Sequence, residues 1–316
     1  MHFELYGLLH LAEGERSLLN DRVKNFQQQI KLYIKNAIGL SDSLRRKDIK
    51  FTLLTNRLDL VSKALVGIER KDTLRIEKID FPTKIPSGVR FYSTHFKLDV
   101  FRYFSLLNKD RNPYIGLCDL DMIALNEIPT CLTNIVKDKL PMCYDISDQV
   151  IPAYGHDIII RDMESISGIN SEGRWIGGEF ILGSPDFFLS LINEIDNVFG
   201  RYVNKINGLH HIGDEVLISV ALEQIRRKGI YVADAGTLGI VGRYWSGKTR
   251  HSQKDFDYYK DCFLLHLPAD KQFLASLANT AIVNDVQFIK KFNKYLMHKN
   301  SVYAMSKKIL NRILCK

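Results

Sequence analysis

The N-terminal part of the chain alternates short apolar runs with segments whose apolar residues recur every three or four positions. The runs at 2–10, 49–56, 74–81 and 114–121 predict strands, and the periodic segments at 20–38 and 91–108 predict helices. This alternation is typical of an α/β fold, with a mostly parallel central sheet flanked by helices. Ligands of such sheets bind at the carboxyl ends of the strands, where Asn56 and Asp119 fall.

The rest of the chain has a less regular pattern. Residues 174–199 predict a Gly-Gly turn and a strand, then a helix that begins after Ser184 and Pro185. Residues 210–229 predict a polar turn and a helix that ends at Gly229. Residues 262–271 include a short predicted strand that ends at His266.

Two aspartates stand at the end of the fourth predicted strand, in the sequence YIGLCDLDMIALNEIP (114–129). One residue separates Asp119 from Asp121, and apolar runs lie on both sides. Two like charges at the end of a buried strand repel each other. A hard divalent cation that lies between them and phosphate oxygens would relieve this repulsion. The pattern favours a metal site, and the alternative is a solvated turn that holds two acidic residues.

The segments FKLDVFRYF (96–104) and YIGLCDLDMIALNEIP resemble the core of GT-A glycosyltransferases, which use nucleotide-sugar donors and carry a D-x-D motif at a strand end. The resemblance covers about residues 1–275. It implies the Rossmann-like GT-A fold, a nucleotide-sugar donor (a UDP-sugar is the expected one) and Mn²⁺ or Mg²⁺ as cofactor. The family's metal ligands correspond to Asp119 and Asp121. HLPADK (266–271) resembles a motif of several retaining families, in which a histidine completes the metal site and a lysine meets the phosphate. It implies these roles for His266 and Lys271.

The resemblance also implies contacts with the donor. The first strand and helix of the family cradle the nucleotide, and the helix before the D-x-D strand carries a basic residue near the phosphates, here Lys97, with Arg102 as the second candidate. RWIGGEFILGS (174–184) resembles the strand on the acceptor side, where glycines let the backbone approach the sugars. The expected donor contacts are Tyr6, Gly7, Asn56, Lys97, Asp119, Gly177, Gly178 and Lys271.

Three carboxylates are the candidates for the chemical step. The segment HIGDEVLIS (211–219) resembles the acidic motif under the family's active site, which implies roles for Asp214 and Glu215, and Glu179 would face the cleft. An inverting enzyme would use one of them as a general base, and a retaining enzyme would use a carboxylate at the anomeric centre. We expect retention. The alternative for Asp214 and Glu215 is that they only begin a helix, where its dipole favours acidic residues.

One further motif satisfies the P-loop pattern, GRYWSGKT at 242–249. A P-loop requires a helix to follow, but the next residues have no apolar helical face. We expect instead a basic and aromatic loop near the donor, in which basic side chains meet the diphosphate and an aromatic ring stacks on a sugar. The alternative is an exposed loop without a role. The residues concerned are Arg243, Tyr244, Trp245, Lys248 and Arg250.

Composition and charge limit the remaining choices. Hydrophobic residues make up 46% of the 316 residues, as in ordinary globular proteins, and no apolar run reaches the roughly 18 residues of a membrane span. The five cysteines form no C-x-x-C pair, which disfavours a zinc site or a disulfide framework. The N-terminus lacks the features of a signal peptide. We expect a cytoplasmic protein.

The positive charge is concentrated at the C-terminus. Residues 286–316 hold eight of the 44 Lys and Arg residues and no acid, which leaves 36 basic against 36 acidic residues elsewhere. Nucleic-acid binding is therefore not expected. Apolar residues such as Phe288 and Phe292 share one face of this segment, which predicts a basic amphipathic helix at the inner surface of an anionic membrane, where each basic residue contributes about 1 kcal/mol. The alternative is a helix packed on its own domain.

These features predict a glycosyltransferase domain at 1–285 and a tail at 286–316. By family analogy, a membrane-associated enzyme would act on a glycan or lipid-linked acceptor in surface-polysaccharide synthesis. Two rival interpretations exist. CDLDMI (118–123) also resembles the D-x-D of haloacid-dehalogenase-type phosphatases, although no hydroxyl residue follows the pair. A non-catalytic membrane-surface binding protein would explain the tail alone.

Overall fold

The computed structural model describes residues 3–12, 23, 25–68, 71–108, 113–278 and 284–314, with side chains up to residue 299. The main helices and strands are β1 (Glu4–Leu9), α1 (Phe26–Arg45), β2 (Lys50–Thr55), α2 (Leu58–Leu65), β3 (Arg75–Lys78), α3 (Lys97–Ser105), β4 (Ile115–Cys118), β5 (Met122–Ala124), α4 (Thr130–Asp138), β6 (Met142–Asp145), α5 (Ser147–Tyr154), α6 (His156–Ser167), β7 (Ile176–Gly183), α7 (Pro185–Lys205), α8 (Asp214–Arg227), β8 (Ala233–Asp234), β9 (Val241–Arg243), α9 (Phe256–Tyr259), β10 (Leu264–His266), α10 (Lys271–Leu277) and α11 (Asp285–Leu314).

Within the described residues, seven strands form the central sheet in the order β3-β2-β1-β4-β7-β6-β8. Neighbouring strands from β3 to β4 are parallel, whereas β7 runs antiparallel to both β4 and β6. Every residue of β4 and of β7 is buried, as expected for strands covered on both faces. The predicted α/β class and mostly parallel sheet are confirmed.

A smaller sheet has the order β5-β10-β9 among the described residues. β10 pairs antiparallel with β5, so that His266 lies opposite Met122, and parallel with β9, so that His266 lies opposite Arg243. This sheet therefore brings the end of β10 next to the D-x-D turn, which lies between β4 and β5.

Several element boundaries differ from the predictions for identifiable reasons. The helix predicted at 20–38 begins at Phe26, because the Asn25 side chain caps it by accepting from the Gln28 N–H, and it continues to Arg45. Residues 20–22 and 24 lie outside the described part of the chain. The helix predicted from 91 begins as a 3₁₀ turn over Tyr92–Phe96. The helix predicted after Ser184 is correct, since that side chain accepts from the Phe187 N–H and Pro185 occupies the first turn.

The first half of α11 packs on the rest of the protein. Phe288 and Phe292 are completely buried in a second core cluster with residues of β10 and α10. Lys299 donates to Asp270 Oδ1 (2.8 Å) and to Ser246 Oγ (2.6 Å). These two apolar residues of the predicted 286–316 tail are therefore not available to a membrane, and the side chains of residues 300–316 lie outside the description. No described helix is both long and apolar enough to cross a bilayer.

Candidate active site

The D-x-D turn is tied to two other strands. The strand predicted at 114–121 ends at Cys118, so Asp119 and Asp121 both lie beyond it. The Asp119 N–H donates to Glu179 O in β7, and the Leu267 N–H donates to Asp121 O, both at 3.0 Å. The Asp119 side chain is 30% exposed and that of Asp121 is buried. The backbone of the turn is thus fixed from both sides.

Gly7 permits this turn to pack against β1. A Cβ atom at Gly7 would lie 2.4 Å from Leu120 Cδ2 and 2.8 Å from Phe51 Cζ. Any larger residue would push Leu120, and with it the two aspartates, out of place. The structure thus gives Gly7, predicted as a donor contact, a packing role.

Asp119, Asp121 and His266 form a group whose potential ligand atoms all lie within 4.8 Å of one another. His266 Nε2 lies 3.2 Å from Asp121 Oδ1 and 3.9 Å from Asp119 Oδ2. The other ring nitrogen, Nδ1, lies 3.4 Å from Glu179 Oε1. A carboxylate on the far nitrogen is the usual way in which a protein orients a metal-binding histidine.

This group fits a divalent cation by its donor chemistry and charge. Burial by itself lowers the pKa of His266, but the carboxylates of Asp121 and Glu179 outweigh it and raise the pKa to about 9. A proton therefore stays on the imidazole at neutral pH in the absence of metal, between carboxylates that a cation could bridge instead. The two carboxylates are oxygen ligands that suit Mn²⁺ and Mg²⁺, and the imidazole adds a nitrogen ligand.

Two lysines neutralise the aspartates from the protein side. Lys97 Nζ lies 2.9 Å from Asp119 Oδ1 and 3.1 Å from Asp214 Oδ2, and it donates to Gly178 O at 2.8 Å. Lys271 Nζ lies 2.5 Å from Asp121 Oδ2 and donates to Pro268 O. Because Lys97 has three protein acceptors, a phosphate contact, as expected from the resemblance, requires one of them to be released.

Glu179 is buried between His266 and Arg243. Its Oε1 lies 3.3 Å from Arg243 Nη1, and its side chain is only 2% exposed. Arg243 is held in turn, because its Nε donates to Gln149 Oε1 and its backbone N–H donates to Tyr144 OH. Burial alone raises the pKa of Glu179, but the Arg243 guanidinium and His266 outweigh it and lower the pKa to about 2. Glu179 thus stays ionised and orients His266.

Glu215 has the opposite electrostatic environment. Trp175 Nε1 donates to Glu215 Oε2 at 2.9 Å, and Arg243 Nη1 lies 3.9 Å from Oε1. Burial, together with the charges of Glu179 and Asp214, outweighs Arg243 and raises the pKa of Glu215 to about 7. With 36% of its side chain exposed, Glu215 is accessible to a ligand and able to exchange a proton near neutral pH.

Beside the two glycines of β7, neighbouring carboxylates occupy the space that a side chain would need. A Cβ atom at Gly178 would lie 2.0 Å from Asp214 Oδ2, and one at Gly177 would lie 2.0 Å from Glu179 Oε2. Asp214 also begins α8, and the preceding Gly213 N–H donates to Tyr202 OH. Tyr202 in turn contacts His95 Nε2 at 2.6 Å. This buried pair fixes the start of α8.

Three predicted contacts lie apart from this cluster. Tyr6 packs against Phe104 and its hydroxyl contacts Glu4, two residues earlier on β1. Asn56 binds the backbone N–H and C=O of Leu11, both at 2.9 Å. Arg102 pairs with Asp99 and Asp196. Asn56 shapes the chain after β1, and within the described residues no hydrogen bond or ion pair connects any of the three with Asp119 or Asp121.

The P-loop match is not a P-loop in the structure. Gly242 lies within β9, and the helix α9 that follows begins only at Phe256. The loop is anchored instead, because Gln253 binds both the backbone N–H and the C=O of Trp245 at 2.9 Å.

Three residues of the site, Trp175, Gln149 and Tyr144, were not predicted as site residues from the sequence. The position of Trp175 directly before the Gly-Gly strand was the one available signal.

The comparisons with known proteins concern structure alone, since no protein-family model and no curated protein matches the sequence. The apo structure of the bifunctional glycosyltransferase WbbM superposes with a TM-score of 0.51 and 8% identity. An active-site mutant of LgtC superposes with a TM-score of 0.50 and 10% identity over 89% of this chain and 98% of the LgtC chain. The chain has the fold of these glycosyltransferases. Another LgtC structure, described as a galactosyltransferase with donor and acceptor sugar analogues, gives 0.49 and 11%, with the same coverage.

The match to WbbM covers 91% of this chain and 51% of WbbM, so the chain spans about half the length of that protein. The GT-A resemblance noted in the sequence is confirmed at the level of the fold. At such low identities, the roles of individual residues rest on the geometry described above.

Proposed function

We propose that the protein is a metal-dependent glycosyltransferase that moves a sugar from a nucleoside-diphosphate donor, a UDP-sugar, to a glycan or lipid-linked acceptor. The observation that carries this proposal is the Asp119, Asp121 and His266 group, which lies at the carboxyl end of β4 in a chain with a glycosyltransferase fold. The fold favours this function over the phosphatase alternative.

The charge around this group supports a cation. Among the described residues, five carboxylates are linked here by contacts of 4 Å or less to only three permanently charged basic side chains and His266. Asp119, Asp121 and His266 would hold Mn²⁺ or Mg²⁺, and the metal would supply positive charge to the departing diphosphate. Glu179 keeps the imidazole in its orientation. Lys271 and Lys97 hold the two aspartates in place.

We assign the role at the reacting centre to Glu215, which would act at the anomeric carbon in a retaining reaction and as the base for the acceptor hydroxyl in an inverting one. Of the three candidate carboxylates, Glu179 is buried against Arg243 and Asp214 is held by Lys97, whereas Glu215 is partly exposed and has a pKa of about 7. A group with this pKa is present in both protonation states at neutral pH. We keep retention as the expected stereochemical outcome. The configuration of the product, measured by NMR at the first turnover, tests it.

A thermal-shift experiment tests the proposed function. UDP, GDP and ADP are each added with and without Mn²⁺, and ligand binding to the folded state raises the melting temperature. We expect a manganese-dependent shift with UDP, which Asp121→Asn abolishes. Asp257→Asn removes an exposed carboxylate and serves as the matched control. A manganese-dependent shift that survives in Asp121→Asn contradicts the assignment of the metal ligand.

The tail supports a membrane-linked acceptor. Exposed Lys290 and Lys294 lie on α11, and the sequence carries further basic residues to its end. Sedimentation with phosphatidylglycerol vesicles, compared with phosphatidylcholine vesicles, tests this part separately. A chain that ends after Lys299 keeps the packed half of α11, and we expect it to lose binding to the anionic vesicles.

A further inference from the structure

A second group of side chains, outside the metal and carboxylate positions, gathers near Glu215. Five rings from three separate segments contribute to it, and we call it the ring cluster: Tyr154, His210, His211, Trp245 and His251. Tyr154 ends α5, the two adjacent histidines precede α8, and the other two rings lie in the loop after β9. All five are at least partly exposed to solvent.

Tyr154 lies at the centre of the ring cluster. Its ring centroid is 5.4 Å from that of His210, 4.9 Å from that of His211 and 5.7 Å from that of His251, all in edge-to-face arrangements. Trp245 extends the row, with its centroid 5.8 Å from that of His251. Aromatic rings that are left partly exposed at a protein surface, with polar atoms at their edges, are suited to contact a ligand.

The ring cluster is connected to the candidate catalytic groups by direct contacts. Trp175, which donates to Glu215, packs its ring 4.7 Å from that of His211. His251 Nδ1 lies 3.4 Å from Nη2 of Arg243, the residue that pairs with Glu179. A molecule bound on the rings would therefore lie beside Glu215, the one candidate carboxylate that is accessible.

Two buried polar atoms of the ring cluster have no hydrogen-bond partner in the part of the chain that the structure describes. Asp162 accepts from both the backbone N–H and Nδ1 of His211, which fixes that ring. His211 Nε2 and Trp245 Nε1 are buried, and within the described residues neither has a hydrogen-bond partner. Unpaired buried polar atoms cost stability, so each calls for an explanation. Since both atoms are covered, a ligand reaches them only when neighbouring rings turn.

This combination of groups suits one class of ligand. Flat apolar faces bind the C–H faces of a pyranose ring, and ring N–H groups and imidazole nitrogens bond to its hydroxyls. Burial lowers the pKa of His251 to about 4. Partial desolvation, together with the charges of His211, Arg161 and Arg250, lowers the pKa of the more exposed His210. His210 and His251 thus present uncharged imidazoles at neutral pH, which favours a neutral ligand over a phosphate.

We propose that the ring cluster is the subsite for the acceptor sugar, binding a neutral pyranose on Tyr154 and Trp245 with a hydroxyl directed towards Glu215. This inference rests on the proposed function, because only a sugar-transferring enzyme has an acceptor sugar. The aromatic group at the end of β1, where His10 stacks on Phe96 at 3.7 Å, is a different surface and is not part of it.

Tryptophan fluorescence provides the test, because the chain has two tryptophans, and Trp245 belongs to the ring cluster while Trp175 touches it. The probes are methyl β-galactopyranoside, methyl α-glucopyranoside and methyl N-acetyl-β-glucosaminide, titrated to millimolar concentrations. We expect a saturable change in emission with at least one probe, and a loss of affinity of about tenfold or more in Tyr154→Ala and in His210→Ala. Tyr231→Ala, at a position 65% exposed, is the matched control and keeps the affinity.

The outcomes separate this inference from the proposed function. If no glycoside changes the emission, or if both ring variants bind as tightly as the wild type, the subsite is refuted whatever the nucleotides do. If Tyr154→Ala loses the manganese-dependent UDP shift but keeps glycoside binding, the rings belong to the donor site and the inference is also refuted. If the wild type binds glycosides through the rings but shows no nucleotide shift, the sugar subsite stands and the transferase function fails.

Discussion

Lys97 is the residue whose replacement has the most definite consequence for stability. It lies in contact with two carboxylates, and its side chain is 9% exposed, against 6% for Asp214 and 30% for Asp119. Lys97→Met keeps most of the volume and removes the charge. Loss of one partner from a buried ion pair costs about 3–5 kcal/mol. Because water reaches Asp119, the cost comes mainly from Asp214, and we expect the lower part of this range.

This free energy converts into a measurable melting temperature. At about 2.1 cal/mol/K per residue, a chain of 316 residues has an unfolding entropy of about 0.66 kcal/mol/K. A loss of about 3 kcal/mol therefore lowers Tm by about 5 °C. Differential scanning calorimetry in metal-free buffer at pH 7.5 measures this, with Lys137→Met at an exposed position of α4 as the matched control.

Two further variants decide whether the reasoning is correct. The double variant with Lys97→Met and Asp214→Asn should regain part of the lost stability, because it no longer buries an uncompensated charge. Manganese should raise Tm more in Lys97→Met than in the wild type, since a cation that competes for Asp119 has been removed. If Lys97→Met lowers Tm by less than about 1 °C, or if the double variant is less stable than the single one, Asp214 does not depend on Lys97.

The remaining predictions concern the pKa of Glu215, the packing of Gly178 against Asp214, and the packing of α11 through Phe292. The carboxyl pKa of Glu215 is raised from 4.5 to about 7, so this group costs the wild type stability as the pH rises through that range. Glu215→Gln should therefore be as stable as the wild type at pH 4, more stable at pH 8 by about 1–2 kcal/mol after allowance for the exposure of the side chain, and inactive in sugar transfer. Equal stability of the two proteins at both pH values would contradict the raised pKa. Gly178→Ala should lose about 1–3 kcal/mol in urea unfolding through its clash with Asp214, whereas Gly200→Ala on α7, where a Cβ meets nothing within 4 Å, should gain up to about 1 kcal/mol. Phe292→Ala should lose about 3–5 kcal/mol in the same assay, and an unchanged midpoint would mean that α11 does not belong to the folded domain.

The parts of the site that the sequence predicted have a local signal. Asp119 and Asp121 follow a buried strand, and His266 ends another, so each could be found from the residues beside it. The order of strands and helices follows from periodicity in the same way. The caps at Asn25 and Ser184 are equally local, although the first was not recognised.

The parts that could not be predicted depend on contacts between distant residues. Glu179 and His266 are 87 residues apart, and no local pattern shows that one orients the other. Arg243 was expected to meet a diphosphate, but its buried guanidinium pairs with Glu179 and Gln149. The insertion of β7 antiparallel between β4 and β6 is likewise a result of long-range pairing.

The pairing of β5 with β10 has a consequence for when the group of Asp119, Asp121 and His266 forms during synthesis. β5 immediately follows the aspartates, but within the described residues its one partner strand is β10, which leaves the ribosome much later. Closing so long a loop is slow and is not rewarded until the second strand arrives. A nascent chain therefore exposes its acidic turn without the imidazole, and assembly of the complete Asp119, Asp121 and His266 group becomes one of the last events in maturation.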